Sequence, residues 1–125
     1  MPIRRTLGKR EIIRGYRSFS RIIATGQRIT VEPIRAFFLV NPATQGILRA
    51  GFSVSKGAGA VNRNRHKRLL REAFRTNKES LVADSKLSVE VVFLHTRGRS
   101  DLPSTNIAMK SLLEKISKVI EDRVQ

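Results

Sequence analysis

Apolar residues recur with two different periods along the chain, and the changes of period mark its elements. From Gly8 to Thr25, Ile12, Tyr16, Phe19 and Ile23 stand at i, i+4, i+7 and i+11, while Arg10, Arg14, Arg17 and Arg21 repeat the spacing on the opposite side. That is a helical period with one apolar and one cationic stripe, ended by Gly26. Gly15 inside such a helix costs about 1 kcal/mol relative to alanine, so packing against the rest of the fold must hold the segment.

The period then drops to two. Arg35–Asn41 is short, apolar and rich in β-forming residues, and Asn41-Pro42 closes it. Ile47–Ser55 alternates, with Leu48, Ala50, Phe52 and Val54 on one face and Arg49, Gly51, Ser53 and Ser55 on the other. The second face is small and polar, suited to water or to the floor of a groove. A weaker strand, Arg28–Glu32, precedes these. Val89–His95 is almost continuously apolar, as in a strand buried on both sides. After residues 96–103, Ser104 or Thr105 is placed to cap a last helix with the stripe Met109, Leu112, Leu113, Ile116, Val119 and Ile120. The predicted order is α-β-β-β-α-β-α, an α+β sandwich of helices on a four-stranded mixed sheet, in one domain spanning residues 1–125.

The helix between the third and fourth strands, about Ala60 to Asn77, carries the strongest signal. Arg63, Arg65, Lys67, Arg68, Arg71 and Arg75 crowd onto it beside a single carboxylate, Glu72. At 100° per residue Asn64, Arg68, Arg71 and Arg75 form a stripe with Lys67 beside it, opposite Leu69, Leu70, Ala73 and Phe74. Cations near the N-terminus of a helix oppose its dipole by about 0.3–1 kcal/mol each, a penalty that a polyanionic partner removes. Glu72 is placed to pair with Arg68 at i, i+4.

Charge distribution sharpens this. The chain has a formal net charge of +15. Residues 1–75 hold 17 Lys/Arg against 3 Asp/Glu, and residues 76–125 hold 8 against 7. A localised basic surface, richer in arginine than lysine, is the footprint expected of a nucleic-acid binder. The absence of cysteine excludes disulfides and thiolate chemistry. With no long apolar run or signal-peptide pattern, the expected location is cytoplasmic, without membrane contact.

The residues Arg63-Asn64-Arg65-x-Lys67-Arg68-x-x-Arg71-Glu72, preceded by Gly51-Phe52-Ser53-Val54-Ser55-Lys56 and Ala60-Val61, resemble the protein subunit of bacterial ribonuclease P. Leu7, Phe19, Gly26 and Arg97 also fit, so the resemblance covers nearly the whole chain. It implies a large catalytic RNA as partner and removal of the 5′ leader of precursor tRNA as the shared reaction. The RNA is expected to supply the active site and its Mg2+. The protein would then hold no catalytic residue, metal or cofactor of its own, be inactive alone, and bind no DNA. The resemblance further implies that Arg63, Asn64, Arg65, Lys67, Arg68, Arg71 and Arg75 contact RNA. Phe19, Arg49, Ser53 and Lys56 become candidates for a cleft that holds the single-stranded leader. It also implies a left-handed crossover between the strands flanking the basic helix, against the general right-handed preference. The glycine loop is one residue shorter than is common in the family. Ile23 and Val40 stand where members often carry aromatics, which leaves Phe19 as the candidate for base stacking.

Two other classes compete. A structural ribosomal protein would share the size, charge and basic helix. A protein-only nuclease would need machinery that His66, His95 and scattered carboxylates do not supply by spacing. His66 and His95 read as isolated packing residues, and Phe37, Phe38, Phe52, Phe74 and Phe93 as core.

Overall fold

The computed structural model describes residues 12–13, 15–42, 47–54, 60–78, 87–96 and 101–124. Its elements are α1 (Tyr16–Thr25), β1 (Gln27–Val31), β2 (Ile34–Pro42), β3 (Ile47–Val54), α2 (Ala60–Asn77), β4 (Leu87–His95) and α3 (Leu102–Val124). The order matches the hydrophobic pattern, and the four strands form one sheet in the order β1-β2-β4-β3. β1 and β2 are antiparallel, as are β2 and β4, while β3 and β4 run parallel with α2 between them in sequence. The sheet is therefore mixed. β4, its most apolar strand, is internal and covered on both faces, as its nearly continuous apolar run requires.

Alternation along each strand divides the sheet into two unequal faces. Ile34, Ala36 and Phe38 of β2, Ala50 and Phe52 of β3, and Val89, Val91 and Phe93 of β4 meet Leu70, Ala73 and Phe74 of α2 and the inward stripe of α3. Phe52, Phe74 and Phe93 touch one another at centroid separations of 5.4–6.0 Å. Such aromatic contacts add about 0.5–1.5 kcal/mol each beyond the burial itself. The other face is smaller: Phe37 and Val92 meet Ile13 and Ile22, with Phe19, Leu39 and Leu94 partly covered beside them. The expected stripe of α3 is inward-facing throughout, and the five phenylalanines read as core are all buried.

Two expectations fail at helix starts. The first helix begins at Tyr16, and Gly15 precedes it with φ 94°, a left-handed conformation open to glycine and strained for other residues. Ile12 instead bridges Ala50 in parallel, and the Ile13 amide donates to the Ala50 carbonyl at 2.8 Å, extending along the outer edge of β3. Helical spacing assigned Ile12 and Ile23 to one buried face, but the inward residues of α1 are Phe19 and the fully buried Ile22, and Ile23 is exposed. The last helix is capped by Asp101, not by Ser104 or Thr105: its Oδ1 accepts from the Ser104 amide at 2.9 Å. Thr105 is drawn inward, its hydroxyl donating to the Asp101 carbonyl at 2.7 Å. Hydrogen bonding from the Ser104 backbone and side chain holds the Asp101 carboxyl below its usual range.

Candidate nucleic-acid interface

α2 is amphipathic by construction. Leu70, Ala73 and Phe74 are buried against the sheet and α3, whereas Arg63, Asn64, Arg65, Arg68 and Arg71 are exposed and Lys67 is half-buried at the border. No acidic residue occupies the first turn. Among the described residues, Arg63, Arg65 and Arg68 make no ion pair. The Arg71 guanidinium carbon lies 5.9 Å from the centroid of Phe52, at the outer limit of a cation–π contact. Arg71 is thus partly anchored while staying open to solvent.

The partner expected for Glu72 is corrected. It pairs with Arg75 one turn on, not with Arg68, and accepts a hydrogen bond from Arg75 Nε at 3.2 Å as well as one from Nη2. That hydrogen bond is the main reason the Glu72 carboxyl sits below its usual range. Pairing at i, i+3 leaves Arg68 unneutralised at the middle of the ridge. Arg75, at its far end, shares its charge with a carboxylate.

The opposite face of the sheet brings together three of the four cleft candidates. Phe19 from α1 lies over Gly51 of β3: a Cβ built there would meet Phe19 Cζ at 2.8 Å and Ile13 Cβ at 3.3 Å. Arg49 and Ser53 flank Gly51 on the same side of the strand, Arg49 exposed and Ser53 partly so. Lys56 lies outside the described residues, as do Arg10, Arg14, Ser55 and the glycine loop. Sequence reasoning missed the centre of this face. Glu90 of β4, in register with Arg49, accepts from Arg21 Nη2 through both carboxylate oxygens at 3.1 and 3.0 Å. Arg21 is therefore tied to the sheet and is not a loose member of a cationic stripe. The available signal was Glu90 itself, a lone carboxylate inside an otherwise apolar strand, which demands a partner.

The described residues do not assemble a donor set for a metal ion; no group of three His, Asp or Glu converges among them. The carboxylates nearest the basic surfaces, Glu72 and Glu90, are engaged by arginines. His66 and His95, expected to be isolated, are stacked on each other with ring centroids 4.1 Å apart. Among the described residues no helix is long and apolar enough to cross a membrane.

A mixed four-stranded sheet carrying an amphipathic helix with a continuous guanidinium face defines an RNA-binding α+β module. The family model described as Ribonuclease P matches residues 7–118. The ribonuclease P protein component of Pelotomaculum thermopropionicum is 32% identical over 109 residues, covering 86% of this chain and 91% of that protein. That of Syntrophus aciditrophicus is 38% identical over 85 residues, covering 67% and 70%. Among solved structures, the RNase P protein of Thermotoga maritima superposes with a TM-score of 0.64 at 28% identity, covering 86% of this chain and 98% of that one. The Staphylococcus aureus RNase P protein gives 0.59 at 25%, covering 90% and 97%. This chain belongs to the ribonuclease P protein family. It is a component of the tRNA-processing ribonuclease P holoenzyme, and the ribosomal reading is not favoured.

Proposed function

We propose that the exposed face of α2 docks on the RNA subunit of ribonuclease P, and that the groove between α1 and the sheet holds the 5′ leader of precursor tRNA. In this reading the RNA performs the cleavage with Mg2+ that it binds itself, in the cytoplasm, and the isolated protein has no activity. One observation carries the reading: Arg63, Arg65, Arg68 and Arg71 line an exposed helix face whose one carboxylate is taken by Arg75. Planar guanidiniums fit phosphate bidentately, and a helix face is rigid enough to place several at once. The groove has a different chemistry. Phe19 offers an aromatic surface, and Arg49 and Ser53 offer backbone and sugar contacts beside it. Arg21, held by Glu90, fixes the helix that carries Phe19.

The test is reconstitution with a ribonuclease P RNA and a precursor tRNA at low magnesium. Wild-type protein is expected to promote a shortened 5′ end, and Arg68→Ala to require more protein for the same rate. Undiminished affinity of Arg68→Ala for the RNA subunit would remove α2 from the interface.

A further inference from the structure

His66 and His95 belong to neither the exposed ridge nor the groove. His95 ends β4, is fully buried, and stands in register between Ile34 of β2 and Val54 of β3, both apolar. His66 reaches down from α2, and the two rings stack at 4.1 Å with their planes 16° apart. Among the described residues, Nδ1 of His66 and both nitrogens of His95 are buried without a hydrogen-bond partner. A buried polar atom without a partner is rare in a folded core and points to a role other than packing. A shared metal ion is a poor explanation. Imidazole lone pairs lie in the ring plane, so two stacked, nearly parallel rings aim theirs past any point between them.

The surroundings resist a positive charge. Within a turn of His66, α2 contributes Arg63, Arg65, Lys67 and Arg68. From β2 and β3 come Ile34 and Val54, and the buried residues of α3 are apolar apart from Thr105 and Ser117, its charged Lys110, Glu114, Lys115, Lys118, Glu121 and Asp122 being exposed. Glu32, in the turn between β1 and β2, is exposed and accepts a hydrogen bond from Thr96 Oγ1 at 2.9 Å. Burial pushes His95 below its ordinary 6.5 and the neighbouring His66 acts the same way, while the Thr96 backbone, which makes no well-formed hydrogen bond to the ring, offsets part of this.

We propose that the His66–His95 stack is a proton-operated joint between α2 and the sheet. With neutral rings it holds the first half of α2 down; with a proton on His95 it releases the segment carrying Arg63, Arg65 and Arg68. Because the folded state binds the proton less well than the open state, closure is at full strength above pH 6.5 and is lost as pH falls through the depressed folded value. Each pH unit inside that window shifts the closed-to-open ratio by up to about tenfold per proton. Coupling of the joint to RNA affinity rests on the docking reading of α2, whereas the opening itself does not.

The experiment uses the full chain. Amide hydrogen exchange, corrected for its intrinsic pH dependence, is followed at about pH 7.5 and about pH 5.5. On acidification the α2 amides around Arg65–Leu70 are expected to lose at least about threefold more protection than those around Leu112–Ile116 of α3. In His95→Leu, which removes the titrating ring, that difference should vanish. Equal responses of the two helices in the wild type would overturn the joint. Imidazole NMR titration of the wild type gives a second measure that needs no variant to fold. A His95 that titrates at its ordinary value sinks the proposal, and one that stays neutral below it supports it. Binding to a ribonuclease P RNA transcript separates the two ideas. Selective α2 opening with pH-indifferent RNA affinity keeps the joint and removes the docking assignment.

Discussion

The two faces of the sheet are built on different principles. Under α2 and α3 lies a broad, closed apolar layer in which Phe38, Phe74 and Phe93 are almost wholly inaccessible. Under α1 the apolar layer is small, and a salt bridge, a glycine and a half-covered phenylalanine share the space. The first face gives the domain its stability and in doing so presents the basic ridge of α2 outward. The second is only partly filled, which is the condition for admitting a ligand. The large core and the partly filled groove thus lie on opposite sides of one sheet, with β4 shared between them.

The sharpest way to break this comparison is to remove a large side chain from each side. Phe93→Ala, in the α2/α3 layer, is expected to cost about 3–5 kcal/mol in denaturant unfolding, a large share of the roughly 5–15 kcal/mol that holds a typical domain together. Phe19→Ala, on the α1 face, should cost clearly less while reducing the preference for precursor over mature tRNA. Equal stability losses with no change in substrate preference would make Phe19 an ordinary core residue.

Next in size is Gly51→Ala. Its Cβ would press on the Phe19 ring at 2.8 Å, and relief requires Phe19 to swing away or α1 to lift. Overpacking of this kind costs about 1–3 kcal/mol. The expected signature is a modest stability loss with weakened precursor binding and unaltered affinity for the RNA subunit. The pairing of Arg21 with Glu90 lies below this. Arg21 is half exposed, so Glu90→Gln should cost about 0.2–1 kcal/mol. Unchanged thermal unfolding together with unchanged leader binding would show that the bridge positions nothing.

Much of this division was legible in the sequence, and the parts that were not share a cause. Period-two alternation in Ile47–Val54 placed Ala50, Phe52 and Val54 inward and Arg49, Gly51 and Ser53 on the groove side, because strand geometry leaves no other choice. The basic face of α2 followed from helical spacing in the same way. What failed depended on contacts between segments distant in the chain. Ile12 and Ile13 carry a helix-compatible pattern, yet they pair with the edge of β3, 38 positions from Ile12 in sequence. Glu90 and Arg21 are 69 residues apart, and no local spacing joins them. Glu72 had two arginines within reach, at i−4 and i+3, and side-chain geometry selected Arg75.

The ridge itself is tested by changes that alter charge without touching the core. Arg68→Ala should leave unfolding nearly unaffected, because the side chain is exposed and makes no ion pair among the described residues. RNA binding should weaken, and the slope of log affinity against log salt should become shallower by about 0.7–0.9 for the phosphate no longer neutralised. An unaltered slope would place Arg68 away from the backbone.

The smallest effect is the most selective, because its two readouts move in opposite directions. Glu72→Gln removes the one carboxylate of the basic helix and frees Arg75 from it. The hydrogen bond from Arg75 holds the Glu72 carboxyl below its ordinary 4.5. Its stabilising contribution is therefore complete above that value and is lost as pH falls through the depressed one. At neutral pH the glutamine variant gives up this small contribution, so thermal unfolding should move slightly down, and the difference from wild type should close in acid. RNA affinity should instead rise, since a negative charge leaves a surface that faces phosphate. A ridge serving only to solvate the helix would lose stability and gain nothing, and that result would leave the exposed arginines without a partner.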